Sequence, residues 1–123
     1  MKKIITIDGP AGSGKGMISK YISKKYNLYH IDSGILYRRL AYEMEKVNIK
    51  IYEKNKIKKL IKSIDRLSIR KLNYLRQEQI GVAASEIAKY DFVRIFINKQ
   101  QKLVTKTYNN CKGFVIDGRD IGS

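Results

Sequence analysis

Eight residues near the N-terminus, Gly9-Pro10-Ala11-Gly12-Ser13-Gly14-Lys15-Gly16, constrain this chain more than any other stretch. Four of its nine glycines and its one proline fall there. Before them, residues 2–8 (Lys-Lys-Ile-Ile-Thr-Ile-Asp) read as a short buried strand rich in β-branched residues. After them a helix is expected from Lys15, with Ile18, Tyr21 and Ile22 spaced to face a core. A Gly-x-x-x-x-Gly-Lys run between a strand and a helix is the pattern of a phosphate-binding P-loop. Glycines let successive backbone N–H groups turn inward around phosphate oxygens, and the new helix aims its positive end at the same point. Lys15 adds a mobile ammonium for the β- and γ-phosphates of a nucleotide such as ATP. Gly9, Pro10, Ala11, Gly12, Ser13, Gly14, Lys15, Gly16 and Met17 are therefore the candidate ATP-binding residues. One departure stands out. The usual pattern places Ser or Thr after the lysine to reach Mg2+, whereas Gly16 and then Met17 follow here. A thioether is a poor ligand for a hard cation, and Ser13 and Ser19 sit off the expected position.

Leu28–Ile31 is a second strand candidate, ended by Asp32-Ser33-Gly34. Leu36, Leu40, Met44 and Val47 then mark one face of a helix. Residues 53–64 form an amphipathic segment, with Ile57, Leu60, Ile61 and Ile64 on one side and Lys54, Lys56, Lys58, Lys59 and Lys62 on the other. A solvated surface is the commoner meaning of such a basic face, ahead of a membrane or nucleic-acid contact. Residues 65–75 read as one short strand or a hairpin. Two helices follow, Gln79–Lys89 and Asp91–Thr107, with Asp91 as the expected N-cap and Phe92, Ile95, Phe96 and Leu103 on the apolar side of the second. Phe114–Asp117 closes the series as a buried strand. Strands alternating with helices predict an α/β fold with a parallel sheet.

At 123 residues, with 43% hydrophobic and 30% charged residues, the chain fits one soluble globular domain. Its apolar runs are too short to span a membrane. Met1-Lys2-Lys3 resembles the start of a signal peptide, but Asp8 ends the apolar run too early. The single cysteine, Cys111, allows neither an internal disulfide nor a metal cluster, so a reduced, cytoplasmic setting is expected. The net charge of +15 raises nucleic acid as a partner. Lys, Ile, Asn and Tyr are all abundant and share AT-rich codons, however, so genome bias together with an anionic small substrate is the favoured account.

Three further stretches join the phosphate loop in a family resemblance. Ile7-Asp8-Gly9-Pro10-Ala11-Gly12-Ser13-Gly14-Lys15-Gly16 resembles the opening of bacterial cytidylate kinases, including Asp-Gly-Pro. Ile31-Asp32-Ser33-Gly34-Ile35-Leu36-Tyr37-Arg38 is similar to that family's Asp-Ser/Thr-Gly-x-x-Tyr-Arg segment. Val82-Ala83-Ala84-Ser85 through Arg94 looks like its Ala-Ala-Ser helix and following arginine, and Asp117-Gly118-Arg119-Asp120-Ile121-Gly122 like its Asp/Glu-Gly-Arg-Asp motif. Taken singly, Arg38 reads as a surface arginine, Ser85 as a small residue at a helix crossing, and Asp117-Gly118 as a turn. Their joint order moves the reading toward a site. His30 and Cys111 gain nothing from it and read as structural.

The resemblance implies a P-loop nucleoside-monophosphate-kinase-like parallel sheet flanked by helices. It divides the chain into a phosphate-binding core (1–34), a helical acceptor-binding region (about 35–108) and a core strand with the Asp-Gly-Arg-Asp motif (109–123). The implied reaction is transfer of the γ-phosphoryl of ATP, with Mg2+, to CMP or dCMP. Residues matching Ser33, Arg38, Ser85, Arg94, Arg119 and Asp120 contact the monophosphate in the family. Arginine forks suit two phosphate oxygens at once, and Ser85 and Asp120 would read the pyrimidine edge. Lys15, Arg119 and Asp117 are the catalytic candidates, with Asp117 holding Mg2+ through water as a Walker-B acid would.

The family extends well beyond Gly122, so the resemblance covers only the part before the lid and final strands. The strand bearing the phosphate loop is then expected to present an apolar open edge. A truncated reading frame, a fragment awaiting a complementary C-terminal piece, or a dimer covering the edge would follow. The alternatives are a catalytically dead nucleotide-binding remnant, a P-loop kinase for another small acceptor such as AMP or shikimate, and, least favoured, a basic nucleic-acid-binding protein.

Overall fold

The computed structural model describes residues 3–8, 15–26, 28–70, 73–107 and 113–118. The element order is β1 (Lys3–Asp8), α1 (Lys15–Tyr26), β2 (Tyr29–Asp32), α2 (Ser33–Lys46), α3 (Lys54–Ser63), a 3₁₀ turn (Asn73–Arg76), α4 (Glu78–Ile87), α5 (Asp91–Thr107) and β3 (Gly113–Gly118). The chain divides into two compact units, residues 1–33 with 101–123, and residues 34–100.

In the first unit three strands pair in parallel in the order β1-β3-β2. The register sets Ile7 beside Asp117 and Asp8 beside Gly118 on one side of β3. On its other side Asp32 stands beside Asp117. Parallel strands require crossover connections, and α1 supplies the one from β1 to β2, which lie on opposite sides of β3. β1 is thus an edge strand, hydrogen-bonded on one side only among the described residues. Helix α1 packs chiefly on β3 and β2. That placement corrects the expected α1 face. Ser19 is fully buried, while Ile18 is 51% and Tyr21 63% exposed. Ile18 and Tyr21 therefore stand off the helix stripe that meets the sheet, while Ile22, one turn from Ser19, is half-buried.

The second unit is helical. Leu36, Leu40 and Met44 recur one turn apart on α2 and are buried, as the spacing predicts. Ile57 of α3, Ile80 and Ile87 of α4, and Val93, Phe96 and Ile97 of α5 complete their core. Each such side chain contributes about 1.5–3 kcal/mol relative to exposure. Val47, expected on the buried face, is 56% exposed because the helix ends at Lys46. The end is a Schellman motif: the Ile49 N–H donates to the Met44 carbonyl (2.9 Å) and the Asn48 N–H to that of Glu45 (3.1 Å). Asn48 takes φ 58°, the left-handed conformation an asparagine tolerates. On α3 the expected lysine face is exposed.

The described part of residues 65–75 holds no strand, which corrects the hairpin reading. An extended stretch cannot form a ladder without a partner strand, and the side chain of Gln100 on α5 takes that place. Its Oε1 accepts from the Leu67 N–H (2.8 Å) and its Nε2 donates to the Asp65 carbonyl (3.1 Å). Asp91 is the first residue of α5 rather than its cap, and its carboxylate accepts from Arg94 instead.

Candidate active site

In a parallel sheet, ligands collect outside the carboxyl ends of the strands. Those ends carry Asp8, Asp32 and Asp117 here: the register sets Asp32 beside Asp117, and Asp8 beside Gly118, the next residue of β3. Chain leaves β1 at that edge and enters α1 at Lys15. The first turn of α1 carries no acidic residue, and Lys24 and Lys25 lie in its last turn. The positive pole of the helix is therefore left without a carboxylate of its own to neutralise it. One turn in, the Ser19 hydroxyl is buried without a hydrogen-bond partner among the described residues. Met17 is 80% exposed. Gly9, Pro10, Ala11, Gly12, Ser13 and Gly14, together with Arg119, Asp120 and Cys111, lie outside the described residues. For Lys15, Gly16, His30 and Asp117 the backbone alone is described, in α1, β2 and β3. Ser33 is the first residue of α2 and is buried.

The acceptor-side candidates of the helical unit are Arg38, Ser85 and Arg94. Arg38 stands two residues after buried Leu36 and two before buried Leu40, so its backbone is held by the core. Its Nη1 donates to the Leu75 carbonyl at 2.7 Å, inside the 3₁₀ turn. The guanidinium lies against Gly81 of α4, where a Cβ would come within 3.0 Å of Nη2. Ser85 is one turn further along α4 and exposed. Residues four apart share a helix face about 5–6 Å from each other, so the tip of Arg38 and the Ser85 position lie on one side of α4. Arg94 is half-buried and pairs with Asp91 at 2.5 Å.

Leu75, Gly81 and Gln100 did not emerge from the sequence pattern. A backbone carbonyl leaves no signature in residue identity. Gly81 had one, since a glycine inside a helical run costs about 1 kcal/mol against alanine and usually signals a close approach.

The cytidylate kinase family model matches residues 5–123. The chain belongs to the cytidylate kinase family. Membership carries the P-loop nucleoside monophosphate kinase fold. Among curated relatives, the chain is 39% identical to the cytidylate kinase of Mycoplasmopsis synoviae over 133 residues, covering 98% of this chain and 58% of that protein. It is 36% identical to that of Bartonella tribocorum over 120 residues, covering 98% of this chain and 54% of the relative. A third, from Caldicellulosiruptor bescii, is 36% identical over 137 residues, covering all of this chain and 59% of the relative. The chain thus spans somewhat over half the length of these cytidylate kinases. Among the described residues no helix is long and apolar enough to cross a membrane.

Proposed function

We propose that this chain carries the ATP-binding and acceptor-binding parts of a (d)CMP kinase, which transfers the γ-phosphoryl of ATP to CMP or dCMP. The observation that carries the reading is the family match over residues 5–123, which takes in all four motif segments in order. In it, residues 1–34 form the phosphate-binding core, about 35–108 the helical acceptor-binding region, and 109–123 the core strand with the Asp-Gly-Arg-Asp motif. The architecture in this reading is the parallel sheet flanked by helices. A cytoplasmic setting follows from the nucleotide substrates.

Transfer between nucleotides asks the protein for alignment and positive charge more than for covalent help. The loop from Gly9 to Met17 would cradle the triphosphate, with Lys15 on its β- and γ-oxygens. Arg38, Arg94 and Arg119 would draw the acceptor phosphate into line, and Ser33 would join them. Ser85 and Asp120 would hold the pyrimidine edge. Magnesium, when bound, would neutralise the charge shared by the triphosphate oxygens. Of its donors, Asp117 fits, standing one residue before the end of β3 in register with Asp32, and would hold the ion through water. Met17 does not fit, since a thioether has little affinity for a hard cation.

That misfit favours a second reading, a catalytically silent member that still binds nucleotide. A complementary segment belongs to either reading. The edge position of β1 and the exposed Met17, Ile18 and Tyr21 on α1 support a polypeptide partner there.

The test is ADP release by the purified chain with MgATP and CMP, beside AMP and Lys15→Ala controls. Turnover with CMP that Lys15→Ala removes supports the kinase. ATP binding lost in Lys15→Ala without turnover supports the silent reading. ATP binding untouched by Lys15→Ala refutes both.

A further inference from the structure

We propose that Gly81 is a positioning residue for Arg38, keeping open the space in which its guanidinium is presented to an anionic acceptor. The inference rests on the acceptor role of Arg38 given above. Three observations within the helical unit carry it. Arg38 is rooted on α2 between the buried Leu36 and Leu40, so its backbone has little freedom to retreat. Its Nη1 is tethered to the Leu75 carbonyl at 2.7 Å. A Cβ at position 81 would lie 3.0 Å from Nη2 and 3.3 Å from both Cζ and Nη1. Ordinary contacts between such atoms lie near 3.5–4.0 Å, so any larger side chain displaces the guanidinium by several tenths of an ångström.

The consequences for stability and for binding then part company. A guanidinium is the far end of a flexible side chain, and moving it costs the fold little. Gly81 lies inside α4 (Glu78–Ile87), where alanine is the better helix former. Alanine there should leave the fold as stable as before or more so. The Leu75 tether, however, can lengthen only from 2.7 Å toward about 3.2 Å before it ceases to direct the fork. One of the five donors is spent on that tether, which fixes how the others are presented. Ser85, one turn from Gly81 on the same side of α4, makes the placement matter for a bound nucleotide. A glycine kept for helix packing alone would show no such split between stability and binding.

The experiment measures CMP affinity by calorimetry and melting temperature by circular dichroism for the unaltered chain, Gly81→Ala, Arg38→Lys and the double variant. Gly81→Ala is expected to weaken CMP binding about tenfold, the equivalent of one misplaced charge-assisted hydrogen bond, with the melting temperature unchanged or raised. On the Arg38→Lys background, where a slim ammonium stem replaces the planar fork, adding Gly81→Ala should cost less than about twofold, because the two changes remove one interaction. The inference is overturned by Gly81→Ala binding CMP like the unaltered chain, by an equal loss on both backgrounds, or by a marked fall in melting temperature. An unaltered chain that binds no CMP overturns the acceptor reading itself, and this inference with it.

Discussion

Replacing Gln100 by leucine tests whether a side-chain amide does the work of a partner strand for residues 65–70. Gln100 is 4% exposed and Leu67 6% exposed, so water has little access to the bond between them. Leucine has nearly the volume of glutamine, and the change removes hydrogen bonds without opening a large cavity. The Leu67 N–H, bonded at 2.8 Å, is left buried and unpaired, which costs about 1–3 kcal/mol. The Asp65 carbonyl, bonded at 3.1 Å, belongs to an exposed residue and finds water, adding about 0.5 kcal/mol. The leucine recovers about 1 kcal/mol by burying apolar surface. The expected net loss is about 1.5 kcal/mol. With an unfolding entropy of about 2.1 cal/mol/K per residue, over 123 residues, this lowers Tm by about 6 °C. Equilibrium urea unfolding followed by circular dichroism measures it, with a falling midpoint and an unchanged slope expected. A Gln100→Leu variant within about 0.5 kcal/mol of the unaltered chain would refute the reasoning.

Two further outcomes follow from the geometry. Asn48→Val forces a β-branched residue to φ 58° and should cost about 1–2 kcal/mol in urea unfolding, whereas Asn48→Gly should leave the midpoint unchanged or higher. The Lys56 ammonium hydrogen-bonded to Glu53, helped by the Lys50 N–H, holds that carboxyl below its ordinary value of 4.5. A depressed native pKa means the stabilisation is complete above the ordinary carboxylate range and is lost as pH falls through the native value. The urea midpoints of Glu53→Gln and the unaltered chain should therefore differ at pH 7 and converge toward pH 3, and a gap constant across that range would refute the assignment.

Much of the local structure was legible because it rests on short-range rules. The span Asp91–Thr107 follows from periodicity alone, and Leu36, Leu40 and Met44 are buried as their spacing requires. Lys15 opens α1 as the glycine-rich run before it demands. The proposed acceptor residues Ser33, Arg38, Ser85 and Arg94 were named through the joint order of the motif segments in the family resemblance, each reading as ordinary when taken singly.

Other features depend on partners distant along the chain. Ile18 and Tyr21 have helical spacing, yet the stripe of α1 that meets the sheet centres on Ser19, a matter of where β3 and β2 lie. Residues 65–75 read as a short strand or hairpin, but a strand exists only through its neighbour, and Gln100 supplies hydrogen bonds to Leu67 and Asp65 from a helix. The seat of Arg38 joins α2, the 3₁₀ turn and α4. Its tether is a carbonyl every residue possesses, and its floor is the absence of a side chain at position 81. Side-chain chemistry and periodicity are written residue by residue. Which backbone group is left for which side chain, and where space must stay empty, is decided only when distant segments pack.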